Sequence, residues 1–321
     1  MQHISRRRLV QAGLLLPAIA RAEAPWPDRP VNLVVPFSAG GSNDVSTRIL
    51  APYLQQKLGP SFVVDNRSGG GGSIGTNFAA RAAADGYTAL VSAASNHVMN
   101  PLVLRSTGPS NRELFAAVST LTEVPLVLAV PTASPVRDLP GLLEMLRRSP
   151  GQSYGSSGVG SSHHLAGELF VQKTGLDMVH VPYRGGGPAV AALVRGEVTM
   201  AFLNLPTILP HAQGGKLRMI ALAEPHRSAL QPEIPTMNEA GLPGFSVYSW
   251  CAIFVPRGTP AAVIARFNQA IREVVAEPAV QTRFTALGVE ARASTPERFE
   301  EIVAQDFAFW EPVIRNANIQ P

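Results

Sequence analysis

Cysteine is almost absent from this 321-residue chain, and the single residue of this type is Cys251. One cysteine can form no internal disulfide and can supply no cysteine-based zinc site. Its neighbours Trp250, Ile253 and Phe254 are apolar, which favours a small buried core residue over a reactive thiol. The chemistry of the protein therefore has to come from other residue types.

Charged residues are also scarce, at 16% of the chain against 45% hydrophobic residues. This composition is typical of a globular protein, and 321 residues are enough for a large core and two lobes. Beyond the N-terminal segment, no run reaches the length of about 18 apolar residues that a membrane-spanning helix requires. We therefore expect a soluble protein once that segment is removed.

The first 24 residues have the pattern of an export signal rather than of a folded domain. Arg6-Arg7-Arg8 precede a mostly apolar stretch, residues 9–20, and Ala22-Glu23-Ala24 fits a small-x-small cleavage site. We expect cleavage before Pro25 and a periplasmic location, by either the general secretory or the twin-arginine route. The segment carries +3 of the formal net charge of +4 and leaves +1 on the remaining chain. The basic balance is therefore an export feature, and we expect no nucleic-acid partner.

Strand and helix patterns alternate along the remaining chain. Residues 31–35 form a mostly β-branched apolar run, which predicts a buried strand, and a helix is predicted from about Asp44 to Leu58. Residues 76–84 predict a second helix, and Leu114–Leu121 form a further apolar patch. The later strands are predicted at 62–64, 87–91, 126–130, 178–181, 198–203, 217–222 and 246–255. This alternation indicates an α/β fold with mostly parallel sheets flanked by helices.

Small polar loops follow several of these strands, and in such sheets ligands bind at the carboxyl ends of the strands. The loop at 37–44 has almost no side chains and leads into a helix. It leaves backbone N–H groups uncovered at the positive end of the helix, which favours a carboxylate or phosphate, although an ordinary β–α turn is the alternative. Similar loops are predicted at 72–76, 92–96, 155–163 and 184–188. Together with the end of the strand at 198–203, they supply the candidate ligand-binding residues Phe37, Ser38, Ala39, Gly40, Gly41, Asp44, Gly72, Ser73, Ser92, Ala94, Ser95, Ser156, Ser157, Ser161, Ser162, His163, Arg184, Gly186 and Asn204.

Motifs for cofactors and metals fail on their context. Gly70-x-Gly72-x-x-Gly75 matches a dinucleotide fingerprint, but it does not follow a strand directly and lacks the acidic residue expected about 20 positions later. His164 and Glu168 share a helix face, yet two ligands do not make a zinc site. We therefore expect no cofactor, no metal and no catalytic residue.

His163 stands where a helix follows the serine-rich loop. It could donate a hydrogen bond to a bound anion or simply take part in capping, and Ser161 or Ser162 is the predicted N-cap. A serine within 156–162 beside a histidine at 163 or 164 also leaves a second hypothesis open, a secreted α/β hydrolase.

Seven segments form a specific set in a specific order. They are Pro36-Phe37-Ser38-Ala39-Gly40-Gly41-x-x-Asp44, Asp65-Asn66-Arg67-x-Gly69-x-Gly71-Gly72-x-Ile74-Gly75, Asp85-Gly86-Tyr87-Thr88, Ser161-Ser162-His163-x-Leu165-Ala166-Gly167-Glu168, Val181-Pro182-Tyr183-Arg184-Gly185, Pro235-Thr236-x-x-Glu239-Ala240-Gly241 and Gly258-Thr259-Pro260. As a set they resemble the Bug (TctC-like) receptors, the extracytoplasmic solute-binding proteins of tripartite tricarboxylate transporters.

The resemblance implies a two-lobed type II periplasmic-binding-protein fold that closes on a small carboxylate. It also implies that backbone N–H groups and bridging waters from residues 37–41 and 156–163 hold the carboxylate. We expect a monomer that passes its ligand to membrane permease subunits; a ligand-sensing subunit of a signalling system is the alternative. Ser38, the segment Ser110–Leu114 and Cys251 depart from the usual family pattern. The first and the last of these adjoin loops near the expected cleft, which leaves the identity of the ligand open.

Two predicted strands, at 125–130 and 246–255, are candidates for the crossings between lobes. We therefore expect one lobe to contain residues 25–124 and 247–321, and the other to contain residues 125–246. Closure by hinge motion is the expected mechanism of ligand capture.

Overall fold

The computed structural model describes residues 26–104, 110–247, 249–317 and 319. The export signal expected at residues 1–24 lies outside the described residues. The strands are β1 (Val31–Val35), β2 (Phe62–Asn66), β3 (Thr88–Ala93), β4 (Phe115–Val124), β5 (Leu126–Pro131), β6 (Gln152–Ser156), β7 (Met178–Pro182), β8 (Met200–Asn204), β9 (Leu217–Leu222), β10 (Ser249–Pro256) and β11 (Glu290–Ala291).

Helices follow most of these strands. They are α1 (Ser42–Leu58), α2 (Ser73–Ala80), α3 (Asn100–Val103), α4 (Asn111–Leu114), α5 (Leu139–Arg148), α6 (Ser162–Thr174), α7 (Gly186–Arg195), α8 (Leu205–Gln213), α9 (Ala261–Val275), α10 (Pro278–Thr285) and α11 (Pro296–Asn316). A short 3₁₀ turn, Gly70–Gly72, precedes α2, and a π-helical turn, Ser95–Met99, precedes α3. None of the helices in the described part of the chain is long and apolar enough to cross a membrane.

The strands form two sheets, with the orders β11-β4-β10-β3-β1-β2 and β7-β6-β8-β5-β9. β1 pairs in parallel with β2 and β3, and β6 pairs in parallel with β7 and β8. The other pairs, which involve β4, β5, β9, β10 and β11, are antiparallel. The α/β fold with two helix-flanked sheets is therefore confirmed, but the sheets are mixed and not mostly parallel. In the first sheet the apolar patch at 114–121 belongs to an additional strand, β4, which pairs antiparallel with β10, and in the second sheet β5 runs antiparallel to β8 and β9.

Two segments of the chain cross between the sheets. β4 ends at Val124 in the first sheet and β5 begins at Leu126 in the second, so only Pro125 separates them. The return crossing runs from the end of β9 at Leu222 to the start of β10 at Ser249. A one-residue connection of this kind leaves little freedom of movement except rotation about the crossing itself.

The junction between the sheets is packed and apolar. One buried cluster contains Phe254 of the first sheet, Phe202 of the second and Trp310 of α11. The C-terminal helix also contacts α6, because the side-chain amide of Gln172 donates a hydrogen bond to the carbonyl of Val313 at 2.9 Å. The C-terminal helix therefore contacts elements of both sheets.

Cys251 lies in the core, as predicted from its apolar neighbours. Its side chain is buried in β10, and burial raises the pKa of its thiol to about 12. The thiol is therefore protonated and unreactive at neutral pH.

Candidate ligand-binding site

The first candidate loop joins β1 to α1. Residues 38–42 are exposed, and Gly40 has a φ of 81°, in the left-handed region that favours glycine. Gly41 is the N-cap residue of α1, and no side chain caps this helix. Among the described residues, no acceptor is bonded to the N–H groups of Ser42 and Asn43 in the first turn of α1. The helix therefore presents free donors at its positive end, as the sequence predicts.

Asp44 anchors this loop from behind. Its carboxylate accepts hydrogen bonds from the N–H of Gly40 at 2.8 Å, from Nε of Arg48 at 2.9 Å and from Nδ2 of Asn66 at 3.0 Å. Asp44 is only 2% exposed. Although burial opposes ionisation, the bonds from Arg48, Gly40 and Asn66 hold the pKa of the Asp44 carboxyl below its usual value. The geometry therefore suits Asp44 to shaping the loop, because a carboxylate cannot donate to an anionic ligand.

The second candidate loop joins β6 to α6. Ser161 is the N-cap residue of α6, and its hydroxyl accepts a hydrogen bond from the N–H of His164 at 3.2 Å. This confirms one of the two predicted caps. Ser156 is fully buried, Ser162 is nearly so, and Ser157 is half-buried.

His163 connects this loop to the end of β8. Its Nδ1 lies 2.6 Å from Oγ of Ser157, and its Nε2 lies 3.1 Å from Oδ1 of Asn204. Burial lowers the pKa of His163 to about 4, so the ring is neutral at pH 7. A neutral ring that donates from Nε2 to Asn204 accepts the Ser157 hydroxyl proton at Nδ1. Both ring nitrogens are thus engaged within the protein, which favours a structural role for His163 over direct donation to a ligand.

The loop between β7 and α7 adjoins the second loop. The N–H of Gly185 donates a hydrogen bond to the carbonyl of Ser157 at 3.2 Å. Gly185 is the N-cap residue of α7, and no side chain caps this helix. The next residue, Gly186, is half-buried, and Arg184 is exposed. The structure therefore brings Ser157, His163, Asn204 and the start of α7 together.

The candidates at the end of β3 lie deeper than the loops. Ser92 and Ala94 are fully buried, and Ser95 is half-buried in the π-helical turn. The hydroxyl of Ser92 accepts from Nδ2 of Asn96 at 2.9 Å, and Oδ1 of Asn96 accepts from the N–H of Ala93 at 2.8 Å. Ser92 is thus occupied in holding the turn, together with Asn96, which the sequence analysis did not select.

Gly72 and Ser73 begin α2 beside this turn. Gly72 is buried with a φ of 96°, and a Cβ there would lie 2.9 Å from Cβ of Asn96, so only glycine fits. Ser73 is exposed and helps line a cavity of about 450 Å³ with Asn96 and Asn100. The second loop comes close to α3 at Asn100, since a Cβ on Gly160 of that loop would lie 3.3 Å from Oδ1 of Asn100.

No group of three or more potential metal-ligating side chains occurs in residues 26–104, 110–247, 249–317 and 319. In the His164–Glu168 pair, Nε2 of the buried His164 lies 3.5 Å from Oε1 of the half-buried Glu168.

Two mixed sheets joined by two crossings, with uncapped starts of α1 and α7 after the parallel strands β1 and β7, define a class of two-sheet α/β proteins. A family model described as "Tripartite tricarboxylate transporter family receptor" matches residues 46–319. The chain belongs to this family of receptors, and its resemblance to the Bug (TctC-like) proteins is confirmed.

Individual relatives agree with this assignment. Protein BugT of Bordetella pertussis is 37% identical over 309 residues, which cover 96% of this chain and 94% of BugT. The solved structure of R. palustris Rpa4515 with adipate is 35% identical, with a TM-score of 0.80 and coverage of 92% of this chain and 99% of that one. The structure of MatC from Rhodopseudomonas palustris with bound malate is 30% identical, with a TM-score of 0.76 and coverage of 90% and 99%.

Proposed function

We propose that this protein is an extracytoplasmic receptor that captures a small carboxylate between two lobes and delivers it to a tripartite tricarboxylate-type transporter. The free N–H groups of Ser42 and Asn43 at the uncapped start of α1 carry this proposal. The ligands bound in two similar structures, adipate and malate, support a carboxylate as the anion.

The lobes are proposed to follow the two sheets, with residues 25–124 and 247–321 in one and 125–246 in the other. The distribution of the strands between the two sheets supports this division, because β1–β4, β10 and β11 form the first sheet and β5–β9 form the second. The crossing at Pro125 would act as a hinge. The contact of α11 with α6 indicates that the C-terminal helix would lie across both lobes.

Backbone donors are sufficient for the affinity such a receptor needs. Charge-assisted hydrogen bonds contribute roughly 1.5–3 kcal/mol each. Four or five of them, after the cost of ordering the ligand and loops, support a dissociation constant of about 1 μM, near −8 kcal/mol. The class of ligand would be a mono-, di- or tricarboxylate, since the loops recognise a carboxylate group without specifying what is attached to it.

A periplasmic location follows from the export signal predicted at residues 1–24. The partners proposed are the membrane permease subunits of the transporter. A ligand-sensing role in a signalling system is the alternative, and co-purification of the receptor with one small and one large membrane subunit would favour transport.

A thermal-shift screen tests the receptor function. Adipate, malate, citrate, benzoate, glutamate and nicotinate are added separately to the mature protein, and the alcohols or amides of the same skeletons serve as uncharged controls. Binding to the native state raises the melting temperature, by an amount that grows with ligand concentration. We expect at least one carboxylate, and none of its uncharged analogues, to stabilise the protein. No response to any carboxylate would contradict the proposal.

The hydrolase alternative has one observation in its favour, the 2.6 Å contact between Ser157 Oγ and Nδ1 of His163. Burial, however, lowers the pKa of His163 to about 4 and makes its ring a weak base at neutral pH. Ester turnover that disappears in Ser157→Ala would favour the hydrolase. We propose that the protein is not an enzyme and expect no such turnover.

A further inference from the structure

A network of buried and half-buried side chains lies next to the second loop. Tyr154 and Ser156 come from β6, His164 and Glu168 from α6, and His180 from β7. The rings of His164 and His180 stack with their centroids 3.8 Å apart. The ring of Tyr154 also stacks on His180, with a centroid distance of 5.0 Å. The hydroxyl of Tyr154 donates a hydrogen bond to Glu168. We call these five residues the imidazole network.

The imidazole network holds two backbone N–H groups of the second loop. Gly160 donates to Nδ1 of His164 at 3.1 Å, and Gly158 donates to Oγ of Ser156 at 3.1 Å. Nε2 of His180 lies 2.6 Å from the same Ser156 hydroxyl. The bond from Gly160 requires an unprotonated Nδ1 on His164, so in the neutral ring the proton resides on Nε2, which faces Glu168.

These bonds divide the amides of the loop into two groups. The N–H groups of Gly158 and Gly160 are held inward, and those of Ser157 and Ser162 have no bonded acceptor in the described stretches of the chain. Gly160 has a φ of 73°, a conformation that lacks the support of regular secondary structure. Releasing its N–H would leave that conformation without its main restraint and would let the neighbouring free donors move.

We propose that His164 is a positioning residue for ligand binding: its Nδ1 fixes Gly160 and thereby sets the arrangement of the free N–H groups of the second loop. This inference rests on the proposed function, because the anion that these donors would serve is the carboxylate. His164 itself does not touch the ligand in this account. This role requires a hydrogen-bond acceptor for Gly160 at the position of Nδ1. A charge or an aromatic ring at residue 164 cannot replace that acceptor.

Three substitutions separate this role from general packing. Oδ1 of asparagine can occupy the place of Nδ1, so His164→Asn retains the acceptor for Gly160. The terminal amide of glutamine reaches the place of Nε2, so His164→Gln retains a polar group toward Glu168 but loses that acceptor. His164→Leu keeps volume without any acceptor. All three lose the stacking on His180, and the melting temperature of each variant reports that shared loss.

The first readout is amide hydrogen exchange at Gly160, which needs no ligand. We expect protection of this amide to survive in His164→Asn and to fall by at least about tenfold in His164→Gln and His164→Leu. Equal protection in the Gln and Asn variants would overturn the inference.

The second readout is the dissociation constant for adipate and for malate, measured by calorimetry. We expect His164→Asn to stay within about threefold of the unaltered protein, and His164→Gln and His164→Leu to bind at least about tenfold more weakly. Unchanged binding in His164→Gln would overturn the inference even if the proposed function holds. If the unaltered protein binds no carboxylate, the proposed function fails, and hydrogen exchange still decides whether His164 positions the loop.

Discussion

The loop between β1 and α1 and the loop between β6 and α6 hold their backbones by different chemistry. In the first loop, the ionised carboxylate of Asp44 accepts from Gly40, and α1 has no side-chain cap. In the second, Ser161 caps α6, and neutral side chains, Ser156 and His164, accept from the loop amides. The comparison teaches that a glycine-rich loop at the start of a helix can be held either by a carboxylate or by a hydroxyl and an imidazole nitrogen.

Removing the charged anchor should have the largest effect. In Asp44→Ala, the donors of Gly40, Arg48 and Asn66 lose their common acceptor, and we expect the free energy of unfolding to fall by about 3 kcal/mol. Urea denaturation followed by circular dichroism measures this loss. Asp44→Asn keeps an oxygen acceptor for Gly40 and should lose about half as much. A loss below about 1 kcal/mol in Asp44→Ala would mean that the first loop does not depend on its charge.

Acid should weaken the second loop before the first. Burial lowers the pKa of His163 and of His180 to about 4, from an ordinary value near 6.5 in the unfolded chain. The unfolded state therefore binds more protons than the folded state between pH 6.5 and 4. The contribution of the two neutral histidines to the free energy of unfolding is complete above about pH 6.5 and is lost as the pH falls toward 4. One such histidine alone would contribute about 3 kcal/mol, so we expect the free energy of unfolding to decrease by at least about that amount over this window.

Denaturation at pH 7.0, 5.5 and 4.5 measures that dependence, and His163→Gln should show a shallower slope than the unaltered protein. Asp44 responds differently, because its pKa lies below the usual value and its carboxylate stays ionised across the same window. We therefore expect acidification toward pH 4 to destabilise the second loop through His163 and His180 while the amide of Gly40 stays protected from hydrogen exchange. The reverse order of opening would break the comparison.

The helix caps provide a smaller contrast. Ser161→Ala removes the acceptor for the N–H of His164, and we expect a loss of about 1 kcal/mol in the free energy of unfolding. Ser161→Asp retains a capping oxygen and should lose much less. Gly41→Ala at the N-cap of α1 is the matching comparison, because no side-chain cap exists there and the substitution removes no capping hydrogen bond. A Ser161→Ala variant as stable as the original would show that the cap contributes nothing.

Local features of the sequence predicted the first loop well. β1 matches the predicted strand at Val31–Val35, and α1 begins at Ser42, two positions before the predicted start at Asp44. The strand was recognisable from its β-branched residues, and the loop from its lack of side chains. α2 runs over Ser73–Ala80 instead of 76–84, because the left-handed Gly72 starts the helix earlier than the glycine-rich composition indicates.

Contacts between distant residues could not be predicted in this way. The partner of Asp44 on β2, Asn66, is 22 positions away, and the ring of His180 reaches Tyr154 only because β6 and β7 pair in a register that sets the two residues side by side. Register depends on the packing of whole sheets, so a local sequence pattern does not predict it. The antiparallel strand β4 was missed for a related reason: its apolar first part, Phe115–Val118, shows no alternation, and its later polar residues are buried only by the packing of the sheet.

The most direct test of the central claim removes a single backbone donor from the first loop. Ser42 is the first residue of α1, where proline is tolerated, and the preceding Gly41 has a ψ of 165°, which suits a residue before proline. Ser42→Pro therefore deletes one N–H with little damage to the helix, and Ser42→Ala deletes the hydroxyl while keeping that N–H. Calorimetry with adipate and malate should show at least about tenfold weaker binding for Ser42→Pro and nearly unchanged binding for Ser42→Ala. Equal affinities in the two variants, at equal melting temperature, would contradict the account that main-chain amides at the start of α1 hold the carboxylate.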